Sequence, residues 1–568
     1  MESFEKIIDT FFGNEKYPVQ WTDEAEKQLH WYFDDLHCPN PVSPLYFDAA
    51  GWWGSTLTYM YDRFGYTGGK HWIGKKINGY VYSAVVPRTD KEEIRLMDPY
   101  FYMVFPVYAA NFLDWWRDRY LPEIKRNCDY LDQFDYSKAS MGEIMVHMEE
   151  LRDILDRHFK IHWVLNLAQF FAHLLFQMKV GEIEGGVDPE TIGKILVSEN
   201  DRNWDSLKAL YDIKEYIKNN LELAKLFKDL SVSEIGAAYS KMTADSELVK
   251  MITAYQDEYG YKAIYTHELV YKTWKEDPTP IFSALKTYLE TDYNFYTAYE
   301  KCAADQKKAI AELMSKVTDE TKKKELKESM DLAIKMSPLT PDHHFYIDQG
   351  TYARARLVFL EVGKALVKNG AIDDPEDVFM LKYDEIRALS AVPNAINGRE
   401  LISQRRQEMA EAKKQNPREW YGTISQWSLY EETYKGLWGW PHKYEQELEE
   451  RKKSETERAA KVTQLKGLPA SPGTIEGIAR FVSSPAEFDK IEKGDILVCK
   501  MTNPAWVVSF SKISGLVTDT GGATSHPAVV SREFGIPCVV GTTKATRVIH
   551  SGMRIRVNGS TGIVDILD

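Results

Sequence analysis

The feature that most constrains this chain is a change of hydrophobic period near residue 460. Before it, apolar residues recur three and four apart, the spacing of a helix that buries one face, over 142–180, 205–230, 246–275, 280–316, 350–369 and 401–415. A β-favouring run, KINGYVYSAVV, predicts a small strand pair within 76–110. From Gly467 onward the period shortens to brief apolar runs separated by turns: GIARFV (477–482), DILVCK (495–500), GLVTDT (515–520), PCVVGT (537–542), RIRV (554–557) and GIVDIL (562–567). Only 527–535 and roughly 543–550 keep a helical pattern there. The expected fold is therefore multidomain, a mainly α-helical N-terminal domain over 1–442 and a small C-terminal α/β domain over 467–568. Between them 443–466, KYEQELEERKKSETERAAKVTQLK, is too charged and too poor in aromatics to bury a core, and reads as a solvated helix or hinge-bearing linker.

Several function classes fall away on composition. At 568 residues the chain exceeds one core, and its 44% hydrophobic and 27% charged residues are ordinary for a globular protein in water. A formal charge of −14 with no basic stripe argues against nucleic-acid binding. The longest apolar stretch, from Trp163, is interrupted by Asn166, Gln169 and His173 and is too short and polar to span a bilayer, so no membrane partner is expected. No secretory signal opens the chain, and five scattered cysteines without a CxxC pattern fit a reducing cytoplasm and suggest no zinc cluster.

The stretch that carries chemistry is TDTGGATSHPAVVSREFGIP, from Thr518 to Pro537. A β run ends at about Thr520, and Gly521 and Gly522 allow a tight turn with close backbone approach. Thr524, Ser525 or His526 can cap the helix that follows, with Pro527 in its first turn. His526 is thus expected at a helix N-terminus, where free N–H groups and the helix dipole favour a phosphate and hold an imidazole neutral and nucleophilic. The hydroxyls of Thr524 and Ser525 and the guanidinium of Arg532 are candidate phosphate contacts.

This stretch, with GLPASPGTIEGIARFV before it and SGMRIRVNGSTGIVDI at the end, resembles the phosphohistidine swivelling domain of the phosphoenolpyruvate-utilising enzymes. The resemblance runs from about Gly467 to Asp568, assigns the phosphoryl group to His526, and implies a domain that swings between a donor and an acceptor site. Phosphoenolpyruvate synthases, dikinases and Enzyme I continue past this domain into a barrel, so phosphoenolpyruvate chemistry is not expected of residues 1–568, and rifampin phosphotransferases carry an ATP-grasp domain that the helical first part does not resemble. The histidine-bearing subunit of the phenylphosphate synthases is the better match, with a looser similarity over HCPNPVSPLYFD (37–48), DHHFYIDQ (342–349), DPEDVFMLKYDEIR (374–387) and WYGTISQWSLYEETYKGLWGWP (420–441). It implies a transferase that takes phosphate from ATP, with Mg²⁺, on a separate ATP-grasp subunit and passes it to a small, phenolic hydroxyl acceptor. The alternatives are another alcohol or antibiotic-like acceptor, or a phosphocarrier without catalysis.

Transfer to a hydroxyl needs a base, cations and a dry pocket. The likeness of DHHFYIDQ to the family's acceptor site makes His343 or His344 the candidate base. Arg354 and Arg356 follow as candidate substrate contacts, although each singly also reads as a salt bridge. His158, His162 and His173 lie on roughly one helical face. HFKIH lacks the Glu of a zincin helix, so pocket or core lining is expected rather than a metal, with His162 a candidate substrate contact. Trp52, Trp53, Trp115 and Trp116 read as core that also suits a phenolic ligand.

Overall fold

The computed structural model describes residues 21–35, 37–51, 55–187, 189–197, 201–415, 417–430, 434, 440–452, 462–483, 485–502, 506, 509–510, 512–522 and 525–567. The expected helix-then-sheet order is present, but the first 442 residues do not form a single body. The chain divides into one compact unit of Met1–Phe171, Tyr265–Tyr271 and His343–Ser428, and a second of Ala172–Ile264, Lys272–Asp342 and Leu429–Asp568. The first boundary falls inside one helix, α1 (Met141–Gly181), whose 41 residues make a rod about 60 Å long. An uninterrupted helical period hides that boundary from the sequence.

The first unit holds a four-stranded antiparallel sheet of β1 (His30–Phe33), β2 (His71–Ile77), β3 (Tyr80–Val86) and β4 (Trp420–Gly422), in the order β2-β3-β1-β4. The expected strand pair is its β2–β3 hairpin. Asn78 (φ 50°) and Gly79 (φ 85°) form the two-residue turn, the backbone that matches the twist of the flanking strands. The pair ends at Val86, and Lys91–Ala110 is a helix in place of the later part of the β-favouring stretch. Asp90 starts that helix by accepting from the N–H groups of Glu92 and Glu93. Trp31, Phe33, Tyr80, Tyr82 and Tyr421 pack the sheet's core. The helix α2 (Gly350–Lys368) turns eleven buried residues inward.

In the second unit, helices between Arg202 and Ser315 close around Trp204, Leu210, Phe282, Tyr288 and Phe295. An eight-stranded sheet follows: β5 (Gln464–Lys466), β6 (Leu468–Ser471), β7 (Thr474–Phe481), β8 (Ile496–Cys499), β9 (Gly515–Thr518), β10 (Cys538–Val540), β11 (Arg554–Asn558) and β12 (Ile563–Ile566), in the order β5-β12-β11-β7-β8-β9-β10-β6. β7 to β10 run parallel, and the remaining pairs are antiparallel. Alternate residues feed opposite faces. Leu497, Cys499, Leu516, Cys538 and Val540 enter one core, and Ile496, Val498, Val517 and Val539 the other. Covered on both sides, the central strands β8, β9 and β10 are buried throughout. Of the charged 443–466 segment, His442–Lys452 is helical and Gln464–Lys466 is already a strand of this sheet. Residues 453–461 lie outside the described residues.

Candidate active sites

Two arrangements of reactive side chains stand out, one in each unit. In the second unit β9 ends at Thr518 and the chain turns at Gly521, whose φ of 113° is open to glycine and strained for other residues. A Cβ there would lie 2.7 Å from the Ser525 hydroxyl. The turn is braced from below: Thr520 Oγ1 donates to the Lys500 carbonyl at 3.1 Å, and Asp519 accepts from the Thr546 N–H at 3.0 Å.

A helix, α3 (His526–Phe534), begins immediately after. Its cap is Ser525, extended at φ −68° and ψ 156°, and Pro527 sits in the first turn. The Ser525 hydroxyl donates back to the Gly522 carbonyl at 2.7 Å and makes no cap bond to the helix. Ser525 therefore gives the first N–H groups of α3 no side-chain acceptor, and N–H groups at such a terminus suit an anion. His526 is the first helical residue, and its backbone alone is described; Thr524 lies outside the described residues, as do Trp52 and Trp53. Gly521 and Gly522 are buried in the turn. Arg532 is in the last turn of α3, at the far end of the helix from His526. Its Cδ lies 2.6 Å from where a Cβ on Gly193 would stand, in the helix Pro189–Ile195. Burial lowers its guanidinium pKa. That placement differs from the expected contact with phosphate, because six residues of helix carry the side chain about 9 Å along the axis.

In the first unit, three histidines surround one carboxylate. Asp348 Oδ1 is 3.0 Å from His162 Nδ1, and Oδ2 is 3.3 Å from His344 Nε2 and 3.8 Å from His343 Nε2. His162, His343 and Asp348 are buried, whereas the His344 side chain is 35% exposed. Burial would push the Asp348 carboxyl up, but the imidazoles of His162, His344 and His343 hold it far below the usual carboxylate range. Desolvation in turn holds the His344 imidazole below its ordinary value against the pull of Asp348. Phe159 and Trp163 flank His162 at 5.3 and 4.6 Å between ring centres, giving the cluster an aromatic wall.

The backbone makes this convergence possible. His344–Gln349 is a π-helical turn, a widened helix that often marks functional sites. On an α-helix, residues five apart diverge by roughly 140°; the wider turn brings His343 and Asp348 onto one side. A further shell adjoins it. His37 bonds Asp34 at 2.8 Å and packs edge-on against His267, which packs edge-on against Tyr352. Burial drops His267 to about 3, whereas at His37 the charge and bond of Asp34 overcome burial and raise the pKa. Glu268 accepts from the N–H and hydroxyl of Ser43 at 2.6 and 2.7 Å, and burial raises its carboxyl.

Among the expected site residues, His162, His343 and His344 come together. Arg354 instead pairs with Asp132 at 2.7 Å and donates to the Gly350 carbonyl. Arg356 is buried, donating to the Leu269 carbonyl at 2.6 Å and to Glu376 at 3.0 Å. Both cations brace the fold at these contacts. His158 is bound by Thr351 and Asn127, and His173 belongs to the second unit. The histidines of HFKIH therefore part ways, one into the fold and one into the site. The sequence reading passed over Asp348, His37 and His267; the signal available was Asp348 itself, four and five residues after the paired histidines. Where no metal was expected, His162, His343 and Asp348 offer ligand atoms within 4.8 Å of one another.

Comparison with known proteins fits this architecture. Residues 491–562 match the mobile domain of the PEP-utilising enzymes, and residues 167–339 match the fourth domain of rifampicin phosphotransferase. Over 466 residues the chain is 25% identical to an uncharacterized phosphotransferase, YvkC, of Bacillus subtilis, covering 82% of this chain and 53% of that protein. It is 27% identical over 367 residues to the rifampicin phosphotransferase of Bacillus subtilis, 63% of this chain and 39% of that one. Its last domain is 51% identical over 100 residues to the phosphoenolpyruvate synthase of Pyrococcus furiosus, 18% of this chain and 12% of that protein. The chain thus spans about half the length of the first of these relatives and less of the others. It carries a mobile domain like that of the phosphoenolpyruvate-utilising enzymes, whose Ser525–His526 pair opens a helix behind two glycines, and before it a helical domain like the fourth domain of rifampicin phosphotransferase.

Proposed function

We propose that this chain is a phosphotransferase in which His526 accepts a phosphoryl group derived from ATP, bound with Mg²⁺ on a separate ATP-grasp partner, and delivers it to the hydroxyl of a small phenolic acceptor. The observation that carries the reading is the N-terminus of α3 at Ser525–His526, where Ser525 makes no cap bond, behind the Gly521–Gly522 turn. Its N–H groups and dipole would hold the phosphoryl oxygens without a cationic side chain. In the second half-reaction the acceptor oxygen bonds to phosphorus as the phosphorus–nitrogen bond breaks. His344, the solvent-accessible histidine of the cluster, takes the hydroxyl proton, Asp348 steadies the resulting imidazolium, and the proton balance closes when the His526 ring regains an N–H. The aromatic wall beside His162 suits a planar acceptor.

Labelling tests the first half. Chain incubated with the ATP-grasp partner, Mg²⁺ and γ- or β-labelled ATP should acquire acid-labile, base-stable label that His526→Ala abolishes; label persisting in that variant would refute the assignment. A chase with unlabelled phenol should then move label into product. A second acceptor class is supported by the match of residues 167–339 to a rifampicin phosphotransferase domain. If rifampicin or a similar alcohol discharges the label and phenols do not, that reading replaces the phenolic one.

A further inference from the structure

The geometry points to a divalent transition-metal site at His162, His343 and Asp348, of the Zn²⁺ or Mn²⁺ class. All three side chains are at least nine-tenths buried, and their ligand atoms lie within 4.8 Å of one another. The decisive contact is between His162 Nδ1 and Asp348 Oδ1. They approach to 3.0 Å, yet neither atom has an aligned hydrogen-bond partner, and both are shielded from water. Two polar atoms facing each other off the hydrogen-bond line, in a buried site, are satisfied together by one ion that both can ligate. His343 Nε2 approaches the other carboxylate oxygen at 3.8 Å, and its ring stands 4.8 Å from that of His162 at 76°. A centre about 2 Å from each ligand needs them no more than about 4 Å apart, so an ion would draw the widest pair, within 4.8 Å, together by a small ring or carboxylate rotation.

The donor set selects the class. Two imidazole nitrogens disfavour Mg²⁺ and Ca²⁺, which prefer oxygen; two histidines with one carboxylate suit Zn²⁺, Mn²⁺ or Fe²⁺ and leave positions open for exogenous oxygen ligands. The elements supplying the ligands are themselves constrained, His162 by the middle of α1 and His343 and Asp348 by a short helix and the π-helical turn after it. His344 Nε2, 3.3 Å from Asp348 Oδ2, offers the carboxylate an outer hydrogen-bond partner. A hydroxyl or phosphate oxygen on an open position would be polarised there; that consequence rests on the proposed acceptor reading, whereas ion binding does not.

The test measures the ion rather than turnover. The full chain, stripped with chelator and dialysed, is titrated with Zn²⁺ and with Mn²⁺ by calorimetry, and with Co²⁺ by its visible absorption. One equivalent per chain is expected, with Co²⁺ bands of a low-symmetry nitrogen–oxygen site. Pulsed electron paramagnetic resonance of the Mn²⁺ form should show coupling to histidine nitrogen. His162→Gln and Asp348→Asn should each weaken binding by about tenfold or more while retaining the native circular dichroism. Failure of folded wild-type chain to bind any of the three ions would overturn the proposal and leave a buried His162–Asp348 ion pair only. Binding unchanged in both variants would overturn it too, by locating the ion elsewhere. If a variant fails to fold, the nitrogen coupling in wild type decides alone, and its absence counts against the site. Loss of phosphoryl transfer with ion binding intact would instead count against the acceptor reading.

Discussion

At the scale of single residues, the division of labour between His343 and His344 is the sharpest expectation. They are neighbours in sequence but differ in exposure, 3% against 35% for the side chains. His344→Ala should leave labelling of His526 intact and slow discharge to the acceptor by roughly a hundredfold, the worth of a positioned base. Discharge at the parental rate, followed as label entering product, would remove His344 from the mechanism. A second residue makes a prediction about stability. Lys262 donates to the Ser206 hydroxyl at 2.6 Å and lies over the rings of Tyr255, Tyr259 and Trp274. Burial, helped by the charge of Arg202, drops its ammonium to about 7. Unfolded, it keeps its proton to about 10.4. Between those values the unfolded chain binds more protons, so stability rises with pH, by up to about 1.4 kcal/mol per unit from this group; below 7 both states are protonated and its contribution is flat. Lys262→Met should remove that part of the slope. Urea melts at pH 7, 8 and 9 check it, and equal slopes in the two proteins would contradict it.

Elements set the precision of both sites. The Gly521 turn aims the start of α3, and its φ of 113° with Ser525 Oγ 2.7 Å from the Cβ position leaves no room for a methyl group. Gly521→Ala should therefore cut His526 labelling far more than it changes the melting temperature, because one turn beyond the end of β9 is displaced while both sheet cores stay packed. Helix α2 carries a comparable constraint for the first unit. A Cβ on Gly363 would meet the Pro375 carbonyl oxygen at 2.1 Å, so the helix lies directly on the backbone of the turn Pro375–Met380. Gly363→Ala should cost roughly 1–3 kcal/mol, the range for overpacking a close contact, read as a drop in the urea midpoint. An unchanged midpoint would mean that the turn yields freely.

Across the second unit, the mobile domain rests on the helices before it. Arg532 lies over Gly193, Phe534 joins the cluster around Trp204 and Phe295, and Lys512 Nζ stands 3.1 Å from Glu290. These contacts are partly polar, like those of a non-obligate interface between domains. Filling the Arg532 groove and reversing the charge, in the double variant Gly193→Leu with Lys512→Glu, should speed hydrogen exchange in residues 526–534 and leave residues 141–160 unchanged. Protection unaltered in 526–534 would show that the seat does not depend on these contacts. Among the described residues no helix is long and apolar enough to cross a membrane.

The sequence by itself determined the order of the architecture and the location of the phosphoryl-carrier candidate. Period and turn residues are local quantities, so α1, the β2–β3 hairpin, the parallel strands from Ile496 and the helix opening at His526 follow from near neighbours in the chain. Glycines, serine and proline at Gly521, Gly522, Ser525 and Pro527 likewise act over a few residues. The tertiary structure alone decided the rest. The boundary at Phe171 is hidden because helix propensity does not register which core a face enters. Arg354 and Arg356 went to Asp132 and Glu376, partners 222 and 20 positions away and on other elements. Asp348 joined His162 across 186 positions because a π-helical turn, a departure from the regular 3.6-residue period, rotated it there. Convergence of that kind depends on packing between distant segments, and no local pattern encodes it.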